Sequence, residues 1–308
     1  MEIREENKFV DSALIIPFYN GECYLDKLFK LIDNLAGLLD IYFIDDKSTD
    51  GSLNIIKEKL GNKVVTVENS KNQGASFCRN YALKNIKKDF LIFLDPDVEI
   101  RKEDIFNLLK PRQDFTVVFP QINYFSGKIL TPTNEFERQR CTNSAVFVVN
   151  RKKIEELGQY FDEDMKIYGE DNDFFSRLWM FKLKFKFCKD IIVKHPEKIF
   201  YTEEHYYQKI KNCILMFLKN AGLVKFRFNP IFWLISNLGL FFIAALLNRN
   251  FTVAQNGFEK VKFTKRSRLI LFLLFFKAIG WNILNFNNTL KKRLRLKSQL
   301  FANPLVLC

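Results

Sequence analysis

Four acidic or basic groups have residue types that could do chemistry, and three of them stand where short apolar runs end. Asp95-Pro96-Asp97 closes and follows the run DFLIFLD (89–95). Two acids one residue apart, just past a strand, can face a hard divalent cation such as Mg2+ or Mn2+, whose oxygen shell phosphates often complete. A solvated acidic turn is the plain alternative. Asp45-Asp46 ends the run that begins at Asp40. Adjacent acids repel unless something uses them. This pair can accept hydrogen bonds from a base N–H or ribose hydroxyls, or it can sit in a helix-capping turn. Glu170-Asp171 opens a helical pattern, where the helix dipole favours anions. It is either a placed proton acceptor or simply a good helix start. His195, one of two histidines, ends an apolar run before Pro196. As a neutral imidazole it could ligate a metal, and a lone histidine is equally at home in a structural role.

The elements that must position these groups are legible as short runs. SALIIP (12–17), DIYFID (40–45), KVVTVE (63–68), DFLIFLD (89–95) and FTVVFP (115–120) are β-branched or aromatic and end in polar or turn residues, as buried strands do. Helical patterns lie between or beside them at 22–36, 51–60, 74–86 and 103–110. Strands alternating with helices of this length imply βαβ units, a parallel sheet and an α/β fold. In such sheets ligands bind outside the carboxyl ends of the strands. Pro17-Phe18-Tyr19-Asn20, Asp45-Asp46 and Asp95-Pro96-Asp97 then share one rim. Thr49 or Asp50 reads best as the cap of the following helix. TNSAVFVV (142–149) predicts a later strand, 170–181 a helix, and KFKFCKDIIVKH (184–195) a strand, a turn and a strand ending at His195.

The order and spacing of these pieces resemble the family 2 glycosyltransferases of GT-A fold over about residues 10–200. LIIPFYNGECYLDKLF is similar to the family's opening strand and helix, and IDDKSTDGS to its VDDGSTDGS segment. NQGASFCRNYAL (72–83) resembles N-x-G-x-S-x-A-R-N, with Cys78 where alanine is usual. FLDPDVEI carries the DxD, GQYFDEDMKIYGEDNDFFSRL (158–178) resembles G-x-FDE…YGED-x-DF-x-x-RL, and IIVKH ends in the matching histidine. One departure is Trp179–Leu183, where the family often has a glycine before the strand that leads to this histidine.

The resemblance implies roles. Asp46 holds the nucleotide base with Asp45 in support, and Pro17, Tyr19 and Arg79 contact the donor or order that rim. Asp97 binds the divalent metal, and Asp95 meets the ribose or the metal shell. His195 completes the metal site or touches the diphosphate. Asp171, beside Glu170, is the general base. The expected reaction moves a sugar from a nucleotide diphosphate sugar to a hydroxyl of a glycan or lipid-linked acceptor, in cell-surface polysaccharide or glycoconjugate synthesis. A bound Mg2+ or Mn2+ would stabilise the leaving phosphates, and a carboxylate would take the acceptor proton. One base without a covalent nucleophile implies a single displacement with inversion. A nucleotidyltransferase forming a nucleotide sugar is the rival enzyme. It would want a Gly-rich, basic phosphate loop after the first strand, and PFYNGECY has none.

Charge divides the 308-residue chain. Residues 206–308 hold 17 Lys plus Arg and one acid, Glu259, which leaves 31 basic against 34 acidic residues in 1–205. The expected organisation is a GT-A catalytic domain at 1–204 and a helical, basic, membrane-associating extension at 205–308. EEHYYQKIKNCILMFLKN has an amphipathic helical pattern. Two apolar stretches follow, 231–247 and 269–286. Both are short or interrupted for a span of about 20 residues, and the second carries Lys277, a costly charge at mid-bilayer. Basic clusters on every flank fit helices lying on an anionic membrane surface better than a spanning hairpin. Packing onto the catalytic domain, or a homodimer through these helices, is the alternative. The basic residues sit among Phe and Leu runs, which suits lipid rather than a nucleic-acid backbone. MEIREENKFV has no secretory h-region. Six scattered cysteines (Cys23, Cys78, Cys141, Cys188, Cys213, Cys308) fit free thiols in a reducing compartment. The expected location is therefore cytoplasmic, peripheral on the inner membrane face. Loops at 120–140 and the tail are the expected acceptor-binding parts.

Overall fold

The computed structural model describes residues 9–129, 144–197, 200–221, 223, 234–236, 238–239, 242–243, 246, 250–254, 257–263 and 268–303. Cys141, Cys308, all of 130–140, much of the 231–247 stretch, and Lys225, Arg227, Arg249, Lys265 and Arg266 lie outside the described residues.

A seven-stranded sheet carries the first half of the chain. Its strands are β1 (Ser12–Phe18), β2 (Asp40–Asp45), β3 (Val65–Glu68), β4 (Phe90–Leu94), β5 (Val117–Tyr124), β6 (Val146–Asn150) and β7 (Phe185–His195), in the order β3-β2-β1-β4-β6-β5-β7. Every pairing is parallel except those of β6 with β4 and β5. All strands but β6 therefore end on one rim. The chain runs outward from β1 through β2 to β3, then returns to β1's other side with β4. The crevice above β1 and β4 is the switch point where open α/β sheets bind ligands.

The helices are α1 (Leu25–Leu35), α2 (Ser52–Leu60), α3 (Ala75–Asn85), α4 (Lys102–Leu109), α5 (Arg151–Leu157), α6 (Glu170–Met180), α7 (Glu203–Asn220), α8 (Arg268–Leu284) and α9 (Phe286–Ala302). Alternation along the strands sorts the core. Leu14 and Ile16 of β1, Ile41 and Phe43 of β2, and Ile92 and Leu94 of β4 pack with Leu28, Ile32, Ile56 and Ile105 of α1, α2 and α4. Phe93 stacks on Phe147 across the β4–β6 pair at 4.8 Å. The predicted turn inside 184–195 is an irregularity within one strand: Pro120 pairs with Cys188 and Gln121 with Ile192, so three residues of β7 go unmatched.

The chain forms two compact units, Met1–Lys166 with Leu183–Glu197, and Ile167–Lys182 with Lys198–Cys308. The division at 204 drawn from composition follows charge, whereas these units follow packing. In the second unit, α7 and α8 share a core of Tyr206, Tyr207, Ile210, Ile214, Leu271, Phe275 and Ala278. A small sheet, β8 (Phe200–Tyr201), β10 (Gly257–Phe263) and β9 (Asn250–Ala254), adds strands to an otherwise helical extension. Among the described residues no single helix is long and apolar enough to cross a membrane. Leu269–Leu284 and Phe286–Ala302 pass that test only as a pair, bent by 60°.

Candidate active site

The rim groups of the sheet unit converge on three ligand atoms. Asp95, Asp97 and His195 offer oxygens and an imidazole nitrogen that all lie within 4.8 Å of one another. Asp95 and Asp97 follow the end of β4, and His195 ends β7. The link between Glu99 N–H and the Lys194 carbonyl at 2.9 Å, returned by Lys194 N–H to Glu99 at 3.1 Å, ties the two chain ends together.

The donor set fits a divalent cation. Asp97 Oδ1 is buried without a hydrogen-bond partner and lies 3.6 Å from His195 Nε2. A buried carboxylate oxygen left this way is costly unless something binds it. His195 Nδ1 is 2.7 Å from the Pro196 carbonyl, which can only accept, so Nδ1 carries the proton. In the neutral ring Nε2, on the side of Asp97, is then free to offer its lone pair to a cation. Metal-bound histidines are commonly oriented in this way by a carbonyl behind them. Asp95 is oriented too: Arg79, 2 % exposed, donates to its Oδ1 at 3.1 Å while its guanidinium lies over Phe161 at 5.5 Å. Two carboxylates with one imidazole suit Mn2+ better than Mg2+, which prefers oxygen throughout.

Asp45 and Asp46 are buried and shape the neighbouring loops. Asp46 Oδ1 accepts from Asn69 Nδ2 and Gln73 N–H, both at 2.9 Å, and its Oδ2 from Gly74 N–H at 2.6 Å. The carboxylate thus sits at the start of α3, the helix that carries Arg79. Asp45 Oδ1 accepts from Ser48 N–H at 3.0 Å and Ser48 Oγ at 2.5 Å. Gly74 has φ +92°, and a Cβ there would come within 2.5 Å of the Lys166 carbonyl, so the sequence needs glycine at this turn. Lys47 holds φ +65° where the VDDGSTDGS segment has glycine, and its ammonium meets Glu68 at 2.7 Å.

Pro17 lies within β1 and Tyr19 is exposed just beyond it. Asn20, which sequence reading left without a role, fastens that end to the β2 loop: its Oδ1 accepts from Thr49 N–H at 2.7 Å, and Ser48 Oγ accepts from its N–H at 3.0 Å. Its φ of +51° suits an asparagine, a signal that Asn-Gly (20–21) carries in sequence. Asp50 bonds Ser52 N–H at 3.1 Å and Glu22 N–H at 3.2 Å. Burial works against its charge, but the hydrogen bonds from Ser52 and Glu22 outweigh it and lower its pKa.

Glu170 and Asp171 belong to the second unit, in the first turn of α6. Gly169, at φ +86°, lets the chain turn into that helix. Glu170 is buried, and Asp171 Oδ1 accepts from Asn172 N–H at 2.8 Å. Two residues on, the fully buried Asp173 accepts from Arg177 Nε at 2.9 Å, Asn220 Nδ2 at 2.8 Å and Lys219 Nζ at 2.8 Å. Asp173 and Arg177 are visible in the sequence as an i,i+4 pair. The partners 46 and 47 residues away are not.

A family model described as Glycosyl transferase family 2 matches residues 13–201. The poly(ribitol-phosphate) beta-N-acetylglucosaminyltransferase TarS of Staphylococcus aureus is 23% identical over 296 residues, covering 84% of this chain and 48% of the relative. The poly(ribitol-phosphate) beta-glucosyltransferase of Bacillus spizizenii is 30% identical over 158 residues, 47% of this chain and 24% of the relative. The chain spans about half the length of these relatives or less. Among solved structures, S. aureus TarS with UDP-GlcNAc aligns at TM-score 0.54 and 20% identity, over 70% of this chain and 68% of that one. The mannosyltransferase PcManGT from Pyrobaculum calidifontis, with GDP-Man and Mn2+, aligns at TM-score 0.56 and 15% identity, over 97% and 87%. At these identities the likeness shows a fold, the GT-A-like α/β architecture with its C-terminal helices.

Proposed function

The chain belongs to glycosyl transferase family 2, and from that membership we propose that it transfers a sugar, with inversion, from a nucleotide diphosphate sugar to a hydroxyl of a glycan or lipid-linked acceptor in cell-surface polymer synthesis. The observation that carries the reading is the Asp95–Asp97–His195 cluster at the carboxyl rim, with its unpartnered Asp97 oxygen. The relatives named for poly(ribitol-phosphate) support the acceptor class.

In this reading Asp97 and His195, with Asp95, hold a divalent cation. Such a cation, when bound, supplies Lewis-acid stabilisation of the charge that grows on the leaving diphosphate. Arg79 and the Pro196 carbonyl keep two of the ligands aimed. Asp45 and Asp46 hold the loops around the donor, with Pro17 and Tyr19 at the same edge. Asp171 takes the acceptor proton as the hydroxyl attacks, with Glu170 beside it.

The experiment is a panel of UDP-glucose, UDP-GlcNAc, UDP-GalNAc and GDP-mannose, scored for free nucleoside diphosphate with Mn2+ and with EDTA. Release that needs Mn2+ supports the reading. Release undiminished by EDTA removes the metal from it, and no release from any donor removes the function.

We further propose that the second unit rests on an anionic membrane surface at the cytosolic face. Supporting it is the outer side of α8, where Leu269, Leu273, Phe276, Ile283 and Leu284 are exposed. On α9, exposed Leu290, Leu294 and Phe301 lie among exposed Lys291, Arg295 and Lys297. Apolar side chains interleaved with cations suit the boundary between acyl chains and anionic headgroups. A homodimer through the same helices is the reading that the lipid test below opposes.

A further inference from the structure

One side of α7 grips both ends of the first turn of α6. Asn212, Lys219 and Asn220 are spaced seven and eight residues apart, two helical turns, and so share a face. Asn212 Nδ2 donates to the carbonyls of Ile167 at 2.9 Å and Tyr168 at 2.7 Å, just before α6. Tyr168 holds φ +65°, a conformation a bulky side chain adopts only when its surroundings enforce it. Its ring is packed edge-on by His205 at 5.1 Å and covered by Lys209 Nζ at 5.2 Å. Past Glu170 and Asp171, Asp173 is bound by Lys219 and Asn220 as well as by Arg177 of its own helix. Lys219 is 3 % exposed and Asp173 0 %. Burying such an ion pair costs several kcal/mol of desolvation per ion, so it is poor evidence of a purely stabilising role. Lys219 is itself held: Arg293 of α9 donates to the carbonyls of Leu218 at 3.3 Å and Lys219 at 3.2 Å.

We propose that Lys219, with Asn212 and Asn220, is a positioning residue for the carboxylates that open α6, so that the helix heading the basic tail is part of the catalytic apparatus. The inference rests on the proposed role of Asp171 as base. Among the described residues, the charged or titratable groups around that turn include Tyr168 just before α6, Glu170, Asp173 and Arg177 on α6, His205, Lys209 and Lys219 on α7, and Arg293 from α9. Asp173 with Lys219 and Arg177 carries a net positive charge two residues along α6 from Asp171. That field favours the ionised base and holds the turn in one geometry.

The test uses the full chain and the fastest donor of the panel above. In Lys219→Met, Asp173 keeps Arg177 as partner, so the pair is not left as a lone buried charge. Expected are a kcat loss of roughly ten-fold or more, an unchanged KM for the donor, and an acid limb of the kcat profile moved to higher pH by roughly half a unit. Lys219→Arg is expected to restore both kcat and the limb. Asn220→Ala removes a bond to Asp173 without changing charge, and should lower kcat while leaving the limb in place. It carries the test if Lys219→Met does not fold. A Lys219→Met enzyme with normal kcat and an unmoved limb, or a folded Asn220→Ala enzyme with normal kcat where the first variant is lost, would overturn the proposal. Asp171→Asn separates the two ideas. If it retains full turnover, the base reading is what fails. If it is inactive while the α7 variants behave as wild type, only the positioning role fails.

Discussion

At the scale of the residue, Asp97 and the thiols make the sharpest predictions. Replacing Asp97 with alanine removes the oxygen proposed to face the metal, which has no hydrogen-bond partner among the described residues. Transfer should fall by about 10²-fold or more, since such a cation contributes several kcal/mol of transition-state stabilisation. The melting temperature should hold in the absence of metal, and the stabilisation that Mn2+ gives the native enzyme should vanish. A variant that keeps both activity and the Mn2+ shift would place the ion elsewhere. The cysteines carry a different expectation. Burial, with Asp46 close by, pushes the Cys78 thiol far up, and burial pushes Cys213 up to about 12, whereas Cys23 is exposed. Unfolded thiols ionise near pH 8.5. Above that pH the unfolded chain sheds protons that the native chain keeps, so these groups contribute stability below about pH 8.5 and lose it as pH rises toward their native values. Iodoacetamide at pH 8, mapped by peptide mass, should label Cys23 and leave Cys78 and Cys213 unmodified until denaturant is added. Fast labelling of Cys78 in the native enzyme would show that α3 opens.

At the scale of the element, sequence was a good guide to local signals and a poor one to long-range ones. β1, β2 and β4 were legible because each is a short apolar run ended by turn residues, and α1 to α4 fell within a residue or three of their patterns. The antiparallel setting of β6 was not legible, since TNSAVFVV reads alike in either direction. α5 was missed because RKKIEEL offers little apolar periodicity. Its signal lay in its caps: Asn150 accepts from Lys153 N–H at 3.2 Å, and Gly158 closes it at φ +60°. The rim acids were legible as candidates, but that Asp46 spends its oxygens on Asn69, Gln73 and Gly74 depends on packing across 23 to 28 residues. Two predictions belong here. Gly74→Ala combines a positive φ with a backbone overlap at Lys166, and each such strain costs about 1–3 kcal/mol. A melting temperature lowered by several degrees is expected, and an unchanged one would mean the turn relaxes freely. Asp171→Asn keeps the first turn of α6 and loses only basicity. Donor affinity should persist while kcat falls by about 10²–10⁴-fold. Loss of donor binding instead would make Asp171 a structural residue of the helix start.

At the scale of the whole molecule, charge and packing divide the chain differently, and that bears on how membrane binding is tested. The basic excess begins at 206, yet α7 lies beyond that point and supplies Asn212, Lys219 and Asn220 to α6. Truncation after residue 204 would remove those side chains together with the proposed lipid face, so lost activity would report on neither. Substitutions on the outer sides of α8 and α9 leave α7 in place. Each exposed cation near an anionic surface is worth about 1 kcal/mol. Lys291→Gln, Arg295→Gln and Lys297→Gln together should therefore weaken flotation with phosphatidylserine vesicles by about 100-fold at low salt, and hardly at all at high salt, where the attraction is already screened. Leu273→Ser with Phe276→Ser should do the reverse, removing the part of binding that survives salt. Both sets alter side chains that the fold exposes, so melting temperature should stay put. Equal binding of the native chain to neutral vesicles at high salt would mean that α8 and α9 insert as a bent pair. Binding to neither kind of vesicle, with a native mass of two chains in solution, would mean that a second copy covers this face.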